Sequence, residues 1–434
     1  MARASFLPFS LPGIGDEEVE AATAVLRSGW ITTGPVAARF EERIAARLGG
    51  GFCLATSSGT AALHLALLAL HLKPGDEVIC PSLTWPATAN TIVLAGGKPV
   101  FADVRAYDLN IDPEDVARKM TRRTRALLPV HFAGAPCDMA ALETLARRHR
   151  LAMVQDAAHA LGSLYGGREV GARGDVACYS FHPTKNVTTA EGGALWTKDA
   201  RIADAARLQR FHGVRTTAWE RTGGPARSAG RLQYAAGRQE SDVRGGARTT
   251  RGYDVEVPGL KYNLSDLHAA LGVAQLEKLD GFLSARERLA DLYRKRLSGI
   301  DLLEIPAPRL AAGDRHAWHI FPVLPRIDAL TIDRFEIQER LREENIGTGL
   351  HFLPVHRTRF YRKLLGRARL PVTERAGERI LSLPLFPRMT ESDVEDVAAA
   401  LEKVLSAARR PAPAPGKPRA AAARRAPAPK RRAR

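Results

Sequence analysis

Between residues 50 and 200 the chain repeats one pattern: a short apolar run, a polar turn, then an amphipathic stretch. The apolar runs are Phe52–Ala55, Glu77–Cys80, Pro99–Phe101, Ala126–Val130, Leu151–Gln155, Val176–Phe181 and Ala194–Trp196. Helix-like stretches separate most of them, at Ala61–Leu72, Ala87–Ala95, Asp112–Arg118 and Met139–His149. Strands joined through helices cannot pair as hairpins. The pattern therefore predicts an α/β fold, a mostly parallel sheet covered by helices on both faces. Two helices precede it, over 16–28 and Val36–Leu48. Helices at Ser265–Leu279, Ala285–Leu297, Asp333–Glu344 and Glu391–Ala407, with a strand at Ala317–Pro325, predict a smaller C-terminal α+β domain. The expected division is a large domain over 1–255, a small one over 256–408 and a tail over 409–434.

At 434 residues, 45% of them apolar, the chain can bury more than one core. Its formal charge of +17 is concentrated outside the periodic regions. Residues 409–434 hold ten basic residues and no acid among many Pro and Ala, and are expected to be disordered. The Gly- and Arg-rich stretch 215–254 holds eight Arg against four acids and lacks periodicity, as expected of a long mobile insertion. The rest carries only about +3, so high basicity alone is a poor argument for nucleic-acid binding. No apolar run of about 18 residues predicts a membrane span, and the N-terminus lacks a secretory apolar core. Four scattered cysteines without a CxxC pair read as reduced thiols. A cytoplasmic location is expected.

Lysine is scarce, at 12 of 64 basic residues, yet Lys185 stands in the turn-rich stretch CYSFHPTKNVTTAEGG (178–193) with Ser180 at its start. Arginine cannot lose its proton, whereas a desolvated lysine can. Taken alone, Lys185 reads more readily as a surface residue in a loop. Asp156 ends a strand-like run; there a carboxylate can face a ligand or simply cap a helix. Ser57–Thr60 forms a strand-to-helix turn suited to a phosphate or to ordinary capping. Trp85 lies past another strand, where it can stack on a planar ring or fill a core. All four fall at carboxyl ends of successive strands. Together they match pyridoxal phosphate, which needs a lysine for a Schiff base, an acid for its ring nitrogen, a face for its ring and donors for its phosphate.

At this point the sequence resembles the DegT/DnrJ/EryC1/StrS family of nucleotide-sugar aminotransferases, of pyridoxal phosphate fold type I. The resemblance runs from about Phe6 to Leu405. It rests on GWITTGPVAARFEE (29–42), SSGTAALHLAL (57–67), GDEVICPSLTWPAT (75–88), GGKPVFADV (96–104) and PVHFAGAPCDM (129–139). It continues in QDAAHALGSLYGG (155–167), SFHPTKNVTTAEGG (180–193), GLKYNLSDLHAALG (259–272) and LPLFPRMT (383–390). SLTWPAT, DAAHALG and GLKYNLSDLHAA are most similar to the UDP-4-amino-4-deoxy-L-arabinose synthase branch.

The resemblance implies that Lys185 bonds the cofactor and shuttles a proton, and that Asp156 binds its ring nitrogen. It also implies that Trp85 stacks on the ring with His159 nearby, and that Gly59, Thr60 and Ser180 hold the phosphate. Asn263 would reach the neighbouring subunit's phosphate, which implies a homodimer with shared sites. His351 would approach the sugar. His131, His182, His316 and His319 are read as structural. The implied reaction moves an amino group from an amino acid, glutamate by resemblance, to a nucleotide-linked keto-sugar. Two other readings are a dehydrase on the same fold and a binding protein that uses its basic segments on anionic surfaces. Dehydrases of the family carry histidine where this chain has Lys185. Three departures stand out: Asn263-Leu264-Ser265 replaces a common NxR, the insertion 215–254 is long, and the basic tail has no family counterpart.

Overall fold

A computed structural model describes residues 3–216, Trp219 and 254–411. Most of the insertion and residues 412–434 of the tail lie outside the described residues. Two helices, α1 (Asp16–Ser28) and α2 (Pro35–Arg47), lead into the alternating region. There follow β1 (Phe52–Thr56), α3 (Gly59–Leu68), β2 (Glu77–Pro81), α4 (Pro86–Leu94), β3 (Lys98–Ala102), α5 (Pro113–Lys119), β4 (Thr124–Leu127), α6 (Met139–His149) and β5 (Ala152–Asp156). A small hairpin, β6 (Leu164–Tyr165) and β7 (Arg168–Glu169), precedes β8 (Val176–Ser180), β9 (Gly193–Thr197) and α7 (Ala200–Arg210).

The main sheet has seven strands in the order β1-β9-β8-β5-β4-β2-β3. The pairings β8-β5-β4-β2-β3 are parallel, and only β9 runs against its two neighbours. The mixed α/β fold expected from the alternation is thus present. Period-two burial explains why both faces are covered. Val78 and Cys80, Val154, Val176 and Cys178 point to one apolar layer with α3 and α4. Cys53, Ala55, Ala177, Tyr179, Ala194 and Trp196 point to the other, under α2. Each buried Val, Leu or Phe contributes roughly 1.5–3 kcal/mol, so the register of these strands is fixed by which face is dry.

Residues 265–297 correct one expectation. The two separate helices expected there form a single helix, α8 (Asp266–Leu297), of 32 residues. Gly281 does not break it. Leu279 and Leu283 on either side are buried in the core under the main sheet, while Leu289, Tyr293 and Leu297 enter a second core. Those burials outweigh the ~1 kcal/mol that an interior glycine costs. The second core surrounds a three-stranded antiparallel sheet, β10 (Leu303–Glu304), β11 (Phe321–Pro325) and β12 (Leu381–Leu383), covered by α8 and the helix Glu391–Ala407. The strand expected over Ala317–Pro325 begins only at Phe321, because 316–320 is an irregular segment held against the main sheet's edge.

The two cores are not cleanly partitioned along the sequence. Leu7 packs into the C-terminal core, and Val355, Tyr361 and Leu370 pack under the main sheet. Among the described residues no helix is long and apolar enough to cross a membrane.

Candidate active site

The carboxyl ends of β1, β2, β5 and β8 open onto one edge of the main sheet, and β9 starts there. The turn after β1 is the tightest part. Ser58 caps α3, its Oγ accepting from the Ala61 N–H at 3.0 Å. Like every helix start, this one leaves its first N–H groups, those of Gly59 and Thr60, without intrahelical acceptors. Gly59 sits so close to β8 that a Cβ there would lie 2.8 Å from the Ser180 Cβ. A Cβ on Gly193 would lie 2.4 Å from the Ser58 carbonyl carbon and 2.5 Å from the Gly59 nitrogen. Two glycines therefore let the helix start, Ser180 and β9 meet. Free N–H groups at a positive helix end, beside half-buried Ser180 and exposed Thr60, make a cradle for a phosphate.

Asp156 is the last residue of β5 and is buried. Its Oδ2 accepts from Thr88 Oγ1 at 2.8 Å and its Oδ1 from the Ala158 N–H at 3.2 Å. Thr88 is in turn linked to Thr84 Oγ1 at 2.7 Å. Burial pushes the carboxyl above its ordinary range, while Thr88, Ala158 and the Lys185 charge act against that shift. A cationic partner, such as a protonated ring nitrogen, would complete this site.

Lys185 is carried by the loop after β8. Phe181 O accepts from the Thr189 N–H at 3.0 Å and from Thr188 Oγ1 at 3.1 Å, closing the loop. The next residue, Asn186, donates through Nδ2 to Ala317 O at 2.8 Å. Burial lowers the lysine's pKa to about 8, with Asp156 opposing the shift. A much larger fraction of this amine is neutral near pH 8 than for an ordinary lysine.

Three histidines surround the lysine. His319 places Nε2 3.3 Å from Lys185 Nζ. The His159 ring lies 4.3 Å from that of His319 and stacks on Phe352 at 5.7 Å. His351 holds Ser382 Oγ through Nδ1 at 3.0 Å. Burial, then the Lys185 charge, brings its pKa down to about 3. Burial also drives His159 well below the ordinary value, followed by the charges of Lys185 and His351. All three rings are neutral at physiological pH.

The structure brings Gly59, Thr60, Asp156, Ser180, Lys185, His159 and His351 to one sheet edge. Trp85 caps α4 on the rim; it is 63% exposed, so it is no core aromatic, and its ring lies 6.2 Å from Phe352. Asn263 bridges Thr56 beside the phosphate-like turn of its own chain, with its side chain bonded to Thr33 and Lys261.

His131, bonded to Gln155 and the Cys137 N–H, and His316, accepting from the Trp318 N–H, are structural as read from sequence. His319 is not merely that, because it touches the lysine. Thr88 was also missed. Its spacing from Trp85 puts it in the first turn of α4, but only the fold reveals Asp156 opposite.

The arrangement fits pyridoxal phosphate. It offers a cradle that glycines keep open, a buried carboxylate with one hydrogen bond to each oxygen among the described residues, and an amine of lowered pKa. His159 Nδ1 and His319 Nδ1 are buried without partners among the described residues.

Comparisons with known proteins agree. The family model for DegT/DnrJ/EryC1/StrS aminotransferases matches residues 12–402. An uncharacterised protein of Methanocaldococcus jannaschii is 39% identical over 408 residues, 94% of this chain and 99% of that one. The aminotransferase TlmJ of Streptoalloteichus hindustanus superposes with a TM-score of 0.81 at 30% identity, over 93% of this chain and 100% of that one. A sugar aminotransferase of Streptococcus pneumoniae, described as putative, was solved in its PMP form. It has a TM-score of 0.81 at 27% identity over 92% of this chain and 99% of its own, and its PLP form matches with a TM-score of 0.80. The chain belongs to the DegT/DnrJ/EryC1/StrS aminotransferase family and is a sugar aminotransferase that works with pyridoxal phosphate.

Proposed function

We propose that the chain transfers an amino group from glutamate to a nucleotide-linked 4-keto-pentose, with Lys185 and Asp156 at the centre of its site. The observation that carries the site assignment is a lysine amine of lowered pKa at the same sheet edge as Asp156, Ser180 and the Gly59 turn. Bound pyridoxal phosphate supplies an electrophilic aldehyde and a sink for carbanion charge. Lys185 Nζ would hold the aldehyde carbon and, when free, would carry a proton to and from the donor's α-carbon. Asp156 would hold its carboxylate toward the ring nitrogen and so favour the protonated ring. Gly59, Thr60 and Ser180 would bind the phosphate, and His159 would stand beside the ring. Trp85, exposed on the rim, would stack on one face of the ring, and His351 would approach the sugar.

A lysine at position 185 supports amine transfer over elimination, because family dehydrases carry histidine there. The pentose rests on the SLTWPAT, DAAHALG and GLKYNLSDLHAA segments. In this reading the product feeds lipid A, surface polysaccharide or other amino-sugar synthesis in the cytoplasm. The enzyme works as a homodimer in which Asn263 serves the partner's phosphate. The large domain is taken as 1–255 and the small one as 256–408, and the basic tail is an accessory that contacts anionic surfaces.

The test uses 15N-labelled glutamate and a UDP-4-keto-pentose, with product formation followed by NMR. The expected result is a 15N-bearing amino sugar and one equivalent of 2-oxoglutarate, both lost in Lys185→Ala. Turnover by that variant at the wild-type rate would remove Lys185 from the mechanism.

A further inference from the structure

His319 lies 134 positions from Lys185 in sequence, yet its Nε2 is 3.3 Å from the lysine Nζ. The segment that presents it is gripped from several sides. The Ala317 N–H donates to Gly134 O at 3.1 Å and the His319 N–H to Ala133 O at 2.9 Å. Asn186, adjacent to the lysine, donates to Ala317 O at 2.8 Å. Arg286 is fully buried, and its Nη1 donates to Trp318 O and His319 O at 3.1 Å each and to Leu385 O at 2.8 Å. Among the described residues no carboxylate pairs with that guanidinium. Trp318 takes φ +45°, a left-handed conformation that a bulky residue adopts only when its surroundings enforce it. Its ring lies flat on His316, at 3.8 Å and 8°. So much constraint on five residues preceding a strand is more than the strand itself requires.

We propose that His319 is a positioning residue: its Nε2 accepts a hydrogen bond from the Lys185 amine and holds Nζ in place when the lysine is not bonded to cofactor. The groups facing the imidazole are Lys185, His159, His351 and Arg286, with Asp156 across the lysine. The positive charges among them, added to burial, keep the ring neutral, so one nitrogen always offers a lone pair. Among the described residues His319 Nδ1 has no hydrogen-bond partner, so no protein group fixes the tautomer. A lysine ammonium fixes it, placing the ring proton on Nδ1 and the lone pair on Nε2. The acceptor favours the charged lysine and opposes part of the burial that lowers its pKa.

The inference rests on Lys185 being the cofactor lysine, and the experiment separates the two ideas. The full-length protein is loaded with pyridoxamine phosphate, which leaves the lysine free. Lys185 is labelled with trace acetic anhydride across pH and read by peptide mass spectrometry. Wild type should label with a midpoint below that of an ordinary lysine, since burial lowers it. His319→Phe, which removes the acceptor, should lower the midpoint by about one unit. His319→Gln, which restores an acceptor oxygen, should recover at least half of that shift.

A His319→Phe midpoint equal to wild type overturns the proposal, as does an equal shift in Phe and Gln variants, which a merely steric role would give. Should the Phe variant not fold, His319→Asn replaces it, since its shorter amide falls short of Nζ. Borohydride reduction of the wild-type pyridoxal phosphate form reports separately on Lys185. Cofactor trapped elsewhere defeats the assignment of the lysine, whereas cofactor trapped on Lys185 with an unmoved midpoint defeats only the role of His319.

Discussion

Gly193→Ala should weaken cofactor binding through the phosphate alone. The added Cβ would stand 2.4 Å from the Ser58 carbonyl carbon and 2.5 Å from the Gly59 nitrogen, where ordinary contacts are 3.4–4 Å. These are backbone atoms, so no side chain can swing away. The turn must retreat by about 1 Å from β9, which carries the Gly59 and Thr60 N–H groups out of line with a phosphate held by Ser180. Losing one hydrogen bond to a charged group costs about 1.5–3 kcal/mol, or roughly tenfold to a hundredfold in dissociation constant.

The assay titrates cofactor-free full-length protein with pyridoxal phosphate and, in parallel, with unphosphorylated pyridoxal, following the absorbance of the bound aldehyde. Gly193→Ala should lose affinity for the first and keep it for the second. Gly281→Ala serves as the control, because a Cβ there meets nothing within 4 Å and the helix gains up to about 1 kcal/mol. Wild-type affinity for pyridoxal phosphate in Gly193→Ala, with unchanged circular dichroism, would show that this turn does not hold the phosphate. An equal loss for both ligands would point to general damage instead.

Three further predictions concern pH and packing. Cofactor capture by the free protein should rise with pH and level off above about 8, where Lys185 Nζ becomes neutral. A stopped-flow profile that levelled only near an ordinary lysine's pKa would deny the effect of burial. Thr88→Val removes a donor that lowers the Asp156 pKa, so the acid limb of the kcat profile should move up by about one unit; an unmoved limb would disconnect Thr88 from the carboxylate. Ser82 Oγ bonds buried His356 through Nδ1 at 2.7 Å and through its N–H at 2.9 Å, and Glu374 lies 3.2 Å from His356 Nε2. Ser82→Ala should therefore cost about 1–3 kcal/mol in denaturant unfolding and leave the lysine's titration unchanged, and a neutral effect on stability would remove Ser82 as the tie between the Trp85 loop and residues 355–357.

Much of this was legible in the sequence, because period and strand ends are local properties. The alternation over 50–200 sets the sheet, and a carboxylate, a Ser/Gly turn and a lysine at strand ends mark the edge where a ligand binds. What escaped is what the fold brings from afar. His319 looked like one more buried histidine, since nothing near it in sequence shows that Lys185 lies opposite. Thr88 looked like a helix residue until Asp156 came to face it. Residues 265–297 read as two helices, because local pattern does not count the leucines at 279 and 283 that are buried on either side of Gly281. The antiparallel course of β9, which brings Gly193 onto the Ser58 turn, is equally a property of the whole sheet.

The most direct test of the central claim is a spectrum. The full-length protein is loaded with pyridoxamine phosphate and offered a panel of nucleotide-linked keto-sugars, one at a time, while the aldehyde absorbance is watched. The account predicts that a UDP-4-keto-pentose restores that absorbance within one turnover and leaves an amino sugar in solution. No restoration by any nucleotide keto-sugar, from protein that 2-oxoglutarate still converts, would contradict it.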